Sequence, residues 1–109
     1  MLYSTDDLRI TGIQEVIPPA QLHEELPITD QASETVFNAR KATQDILHKR
    51  DDRLTVIVGP CSIHDPLAAR EYATRLQPLI EELQDDLQII MRVYFEKPRS
   101  VVGWKGLIN

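Results

Sequence analysis

Two segments of this chain are apolar without the alternation of a half-exposed strand. Leu54-Thr-Val-Ile-Val58 has Thr55 as its one polar position, and Leu87 to Phe95 forms a second run in which Arg92 stands among apolar neighbours. β-branched runs of this kind belong to strands covered on both faces, which occur in parallel sheets. Between them Ala68, Tyr72, Leu76, Leu79 and Leu83 recur at helical spacing. Asp65 ahead of them offers a cap oxygen, and Pro66 suits the first helical position, where its missing N–H costs nothing. The pattern predicts a helix from Pro66 to about Leu83, kinked or offset in its last turns by Pro78. Strand, helix, strand is a βαβ unit, with parallel strands and a right-handed crossover.

Upstream, Ala32, Val36, Ala39, Thr43, Ile46 and Leu47 predict an amphipathic helix that starts at a Thr29 or Asp30 cap and runs to about Lys49. Asp51-Asp52-Arg53 is a polar turn into the first strand. Residues 1–28 carry Pro18, Pro19 and Pro27, three of the seven prolines, and read as an arm. Within it Val16-Ile17 suggests a brief strand, and Pro19 to Leu26 suggests two helical turns. The remainder, 29–109, is the first helix and the first βαβ portion of an α/β domain. Two parallel strands cannot hide both faces, so a larger domain of which this is the opening is expected, with exposed sheet edges in the chain alone.

Composition narrows the function. The chain has 109 residues, 42% of them apolar, and 12 basic against 17 acidic residues give a net charge of −5. Its cations form no tail or stripe, which argues against a nucleic-acid partner, and no run approaches the roughly 18 to 20 apolar residues of a membrane span. One cysteine rules out an internal disulfide, and the absence of a leader pattern points to reducing cytoplasm. The last residues, Gly106-Leu-Ile-Asn109, read like the middle of a loop, which favours a truncated chain.

Both strand patterns break into chemistry-bearing residues at the same end. After Gly59-Pro60 come Cys61, Ser62, Ile63 and His64, a thiol and an imidazole spaced so that both can ligate one borderline metal. Each also has an ordinary reading, Cys61 as a small strand-end hydrophobe and His64 as a helix-entry residue, while Asp65 is accounted for as a cap. After the second strand come Glu96, Lys97, Pro98, Arg99 and Ser100. An arginine inside an apolar strand must be paired or face a polar cavity. With Lys97 and Arg99, Arg92 makes three cations at one strand end, the arrangement that holds phosphate or carboxylate. The alternatives are a solvated loop for Lys97 and Arg99, and an ion pair for Arg92, with Glu96 as one candidate partner. Gly103-Trp104-Lys105-Gly106 reads as a loop with Trp104 as its anchor and Lys105 exposed.

The stretches Gly59-Pro-Cys-Ser-Ile-His-Asp65 and Met91-Arg-Val-Tyr-Phe-Glu-Lys-Pro-Arg-Ser-Val-Val-Gly-Trp-Lys-Gly-Leu-Ile-Asn109 resemble the microbial, feedback-regulated type I 3-deoxy-D-arabino-heptulosonate 7-phosphate (DAHP) synthases. The resemblance implies a (β/α)₈ barrel, incomplete in this chain, that condenses phosphoenolpyruvate with erythrose 4-phosphate at the head of the shikimate pathway, using a divalent metal of the Mn, Fe, Co or Zn type. By residue, it implies Cys61 as a metal ligand and Arg92 and Lys97 as phosphoenolpyruvate-binding. Lys97, Pro98, Arg99 and Ser100 then match the motif that receives the aldose phosphate, with Arg99 and Ser100 on the phosphate itself. The family's remaining metal ligands and further phosphate-binding cations lie on later strands, so this chain alone is expected to be inactive. Homo-oligomers and an aromatic amino-acid effector are also implied. The arm residues Asp6 and Asp7, in a stretch similar to the phenylalanine-sensitive branch, are implicated in inhibitor or subunit contact. The competing reading is a short non-catalytic regulatory or interaction protein that associates with a complete synthase; a module binding metal through Cys61 and His64 alone is a third.

Overall fold

The computed structural model describes residues 9–96 and 106–108. Five elements follow in the order α1 (Pro19–Glu25), α2 (Asp30–Leu47), β1 (Leu54–Val58), α3 (Pro66–Leu83) and β2 (Leu87–Met91). Two compact units divide the chain, Met1–Ser33 and Glu34–Asn109.

In the first unit, α1 begins at Pro19 behind an extended Pro18 and closes with the Leu26 N–H donating to the Leu22 carbonyl at 2.8 Å. Residues Val16 and Ile17 are irregular and exposed rather than a strand. No extended segment pairs with them among the described residues, and an unpaired strand has nowhere to place its backbone hydrogen bonds. Thr29 is the cap of α2: its hydroxyl accepts from the Ala32 N–H at 3.2 Å and its carbonyl from the Ser33 N–H at 2.9 Å.

At its other end α2 stops two residues before Lys49. Lys49 has φ of 59°, its N–H donates to the Ile46 carbonyl at 3.1 Å, and the Arg50 N–H reaches back to the Asp45 carbonyl at 2.8 Å. That pair of bonds is the Schellman closure, with a lysine in the left-handed position that usually takes glycine. The Asp45 side chain accepts from Lys41 and from Arg50, and these hydrogen bonds hold its carboxyl below the usual carboxylate range.

β1 and β2 pair in parallel, Leu54 opposite Leu87 through Val58 opposite Met91, as expected of a βαβ unit. β2 ends at Met91, short of Phe95, because its partner ends at Val58: the Arg92 N–H makes one more bond, to the Val58 carbonyl at 2.8 Å, and Gly59-Pro60 then carries the other chain away. Full coverage of the strands is not met within these residues, since Leu54 and Ile57 are 69% and 68% exposed.

α3 starts where expected, with the Asp65 side chain accepting from the Leu67 N–H at 2.9 Å, and it packs against β2. Pro78 sits inside a helix that continues to Leu83. The inward stripe of α3 is rotated from the one expected. Leu76 is buried, Ala69, Tyr72, Ile80 and Leu83 are half-buried, and Ala68 and Leu79 face outward. Both stripes keep spacings of three and four residues, so periodicity does not choose between them; the side of α3 that packs on β2 does. On α2 the half-buried apolar face is Ala39, Ala42 and Ile46, while Val36 and Leu47 are exposed.

The link from α2 to the sheet is polar. Gln88, buried in β2, donates to the Ala39 carbonyl at 2.8 Å and to the Thr43 hydroxyl at 3.1 Å, and it accepts from the Thr55 hydroxyl at 2.9 Å. Every buried polar side-chain atom among the described residues has a partner. Gln88→Leu is expected to destabilise the protein by about 1 to 3 kcal/mol, because the Thr55 hydroxyl loses its acceptor in a water-poor site. An unchanged urea midpoint would show that the network contributes nothing net.

Candidate active site

The carboxyl ends of the two strands are drawn together by their backbones. A Cβ built on Gly59 would lie 2.6 Å from the Arg92 carbonyl oxygen and 2.9 Å from the Arg92 Cβ, so only glycine fits at this crossing. Its φ is not in the left-handed region, so the requirement is for space rather than for an unusual backbone angle.

Beyond Gly59 the loop is tied to the second strand end twice more. The Arg92 guanidinium donates to the Cys61 carbonyl, at 3.1 Å from Nη2 and 3.4 Å from Nε. The Ile63 N–H donates to the Tyr94 carbonyl at 2.7 Å. Between these ties Ser62 is fully buried, 0% exposed, which fixes the loop from beneath while Cys61 on one side and His64 on the other remain exposed. A further bond, from the Ile108 N–H to the Phe95 carbonyl at 3.2 Å, brings residues 106–108 back beside the second strand end.

Arg92 therefore stands one residue past β2, exposed, and not inside the strand. No carboxylate among the described residues lies within ion-pair distance of it, so a structural pair with Glu96 is not formed. Its charge is met instead by the Cys61 carbonyl and by the face of the Tyr94 ring, 5.1 Å from the guanidinium carbon. A guanidinium has five N–H donors, of which two are used on that carbonyl; the remainder stay available to an anion.

His64 lines a mostly apolar cavity of about 160 Å³ with Ser62, Ala69 and Tyr72, and Cys61 is not in its wall. Among the described residues no three His, Cys, Asp or Glu side chains cluster closely enough to hold a metal ion. The exposed Cys61 thiol suits a borderline metal as one soft donor, and the described residues alone do not assemble a three-ligand set around it.

Lys97, Pro98, Arg99, Ser100, Trp104 and Lys105 at the second strand end, and Asp6 and Asp7 on the arm, lie outside the described residues. Three contributors to the site were not identified in the sequence: the Tyr94 ring, the buried Ser62 and the space requirement at Gly59. Tyr94 carried a usable signal, since a residue two positions from Arg92 in extended chain projects to the same side. Ser62 carried none.

A thiol-bearing loop and a guanidinium meet at the carboxyl ends of two parallel strands joined by a helix, which makes this an α/β protein with its polar groups at the end where ligands bind in such sheets. The chain belongs to the DAHP synthetase I family, whose sequence model matches residues 25–109. It is 63% identical, over its full 109 residues, to the Phe-sensitive phospho-2-dehydro-3-deoxyheptonate aldolase of Escherichia coli (strain K12), and it covers 31% of that protein. It is 52% identical over 104 residues to the phenylalanine-inhibited enzyme of that name from Saccharomyces cerevisiae, covering 95% of this chain and 28% of the relative. The solved phospho-2-dehydro-3-deoxyheptonate aldolase from Francisella tularensis SCHU S4 superposes with a TM-score of 0.78 at 48% identity, over 92% of this chain and 29% of that one. The chain thus spans about three-tenths of the length of these relatives.

Proposed function

We propose that this chain forms one wall of the active site of a 3-deoxy-7-phosphoheptulonate synthase, a cytoplasmic transferase. In this reading 1–28 is the arm and 29–109 opens a (β/α)₈ barrel. What carries it is the identity along the whole chain to proteins named phospho-2-dehydro-3-deoxyheptonate aldolase.

In the reaction, C3 of phosphoenolpyruvate forms a carbon–carbon bond to the aldehyde carbon of erythrose 4-phosphate. Water adds its oxygen to C2, and the C2–O bond breaks as inorganic phosphate leaves with the bonding pair. Both substrates are anions, so the task of this wall is to hold negative charge in register. Arg92 and Lys97 hold phosphoenolpyruvate; Lys97, Pro98, Arg99 and Ser100 receive the aldose phosphate, with Arg99 and Ser100 on the phosphate itself. The placement of Arg92, with N–H groups to spare at a strand end, suits this role. A divalent metal, with Cys61 as one donor, supplies Lewis-acid polarisation of the aldehyde when bound. Relatives named Phe-sensitive and tyrosine-inhibited support an aromatic amino-acid effector; in this reading the whole protein is a homo-oligomer, with Asp6 and Asp7 of the arm in contact with the effector or with a neighbouring subunit.

The test is an assay of the protein that carries this sequence, with Mn²⁺, phosphoenolpyruvate and erythrose 4-phosphate. Phosphate release that requires both substrates and matches heptulosonate formation one to one is expected. Phosphate release without the aldose, or product of a different carbon count, would overturn the proposal.

A further inference from the structure

Arg92 reaches the site on a flexible side chain that is not buried, and an exposed arginine ordinarily samples many rotamers. Here two groups on different segments restrict it. The Cys61 carbonyl takes two of its N–H groups from one side, and the Tyr94 ring lies against the guanidinium at 5.1 Å. Tyr94 is itself held, because its carbonyl receives the Ile63 N–H at 2.7 Å, so its backbone is part of the stitch between the two strand ends. A ring face attracts the cation without consuming an N–H donor. An additional carbonyl or carboxylate in the same place would have taken donors that an incoming anion needs.

We infer that Tyr94 is a positioning residue for anion binding: its ring holds the Arg92 guanidinium in a fixed plane beside the Cys61 carbonyl, with the remaining N–H groups presented to the substrate. The inference rests on the reading of Arg92 as a phosphoenolpyruvate-binding residue and adds a group that does not itself touch the substrate. The ring acts by pre-organisation, so its effect falls on affinity for the anion and not on the bond-making steps.

The experiment titrates phosphoenolpyruvate into the protein that carries this sequence by calorimetry, and measures KM and kcat alongside, for wild type, Tyr94→Phe and Tyr94→Leu. Tyr94→Leu is expected to weaken phosphoenolpyruvate binding by roughly three- to fivefold, the scale of an exposed cation–π contact, with kcat within about twofold. Tyr94→Phe keeps the ring face and should restore wild-type affinity. In an Arg92→Ala background, Tyr94→Leu should have no further effect on affinity. An unchanged dissociation constant in Tyr94→Leu, an equal loss in Tyr94→Phe, or additive losses in the double variant would overturn the inference. If Tyr94→Leu is recovered unfolded, Tyr94→Met preserves apolar bulk without a ring and is read against the same outcomes. Wild-type protein that binds phosphoenolpyruvate but makes no heptulosonate would sink the synthase reading while leaving the titration to decide the role of Tyr94.

Discussion

Replacing Gly59 by alanine should destabilise the protein by about 1 to 3 kcal/mol, the usual range for forcing an extra methyl into a packed site, and should cost activity out of proportion to that loss. The atoms the new methyl would meet are the Arg92 carbonyl oxygen at 2.6 Å, the Arg92 Cβ at 2.9 Å and the Arg92 nitrogen at 3.0 Å. Two of these are backbone, which cannot rotate aside as a side-chain tip can. The strand ends must separate, and the first bond at risk joins the Arg92 N–H to the Val58 carbonyl. Because Arg92 is the residue displaced, a shift of about 1 Å would misplace the cation, an error that can lower turnover by about a hundredfold. Gly12→Ala is the control, since a methyl on Gly12 would meet nothing within 4 Å. Thermal unfolding and kcat/KM for phosphoenolpyruvate measure both effects; a Gly59→Ala protein that matches Gly12→Ala in both would show that the strand ends do not approach this closely.

Removing the cation itself separates fold from function. Arg92→Ala is expected to lower kcat/KM for phosphoenolpyruvate by roughly 10- to 100-fold, from the loss of charge-assisted hydrogen bonds worth about 1.5 to 3 kcal/mol. Stability should move by no more than about 0.5 kcal/mol. Arg92 is exposed, has no ion-pair partner among the described residues, and its acceptor is a backbone carbonyl that water can satisfy in its absence. Arg92→Lys should recover only part of the loss. An ammonium keeps the charge, but it lacks the planar fork that bonds the Cys61 carbonyl and an anion together. A large drop in melting temperature in Arg92→Ala, with the residual folded protein fully active, would reassign Arg92 from substrate binding to architecture.

The elements whose causes are local were legible along the chain. Asp65-Pro66 combines a cap oxygen with a residue that needs no N–H partner, and α3 begins there. The β-branched run at 54–58 is a strand for the same kind of reason, since its side chains are stiff at the first torsion and fit a pleated surface. The motifs at the two strand ends were specific enough to carry the family resemblance, and the chain does belong to that family. Readings that depended on a partner fared less well. The length of the second strand was set by where β1 ends, and the inward stripe of α3 by which residues meet β2, neither of which periodicity contains. Val16-Ile17 had strand-like residues but no neighbour to pair with among the described residues.

By itself, then, the sequence determined where the helices and the two paired strands lie, the parallel order of the βαβ unit, and the fact that a thiol and several cations follow the strands at one end. These depend on propensity, capping and connection length, which act over a few residues. Only the tertiary structure decided that Gly59 is required by the backbone of Arg92, that Ser62 is the buried residue of the loop, and that Arg92 is held by a carbonyl and a ring instead of a carboxylate. The Gly59–Arg92 and Cys61–Arg92 contacts join residues more than thirty positions apart, at distances set by strand register and packing, and no local pattern encodes them; the Tyr94 ring lies two residues from Arg92, but that it meets the guanidinium depends on the same packing.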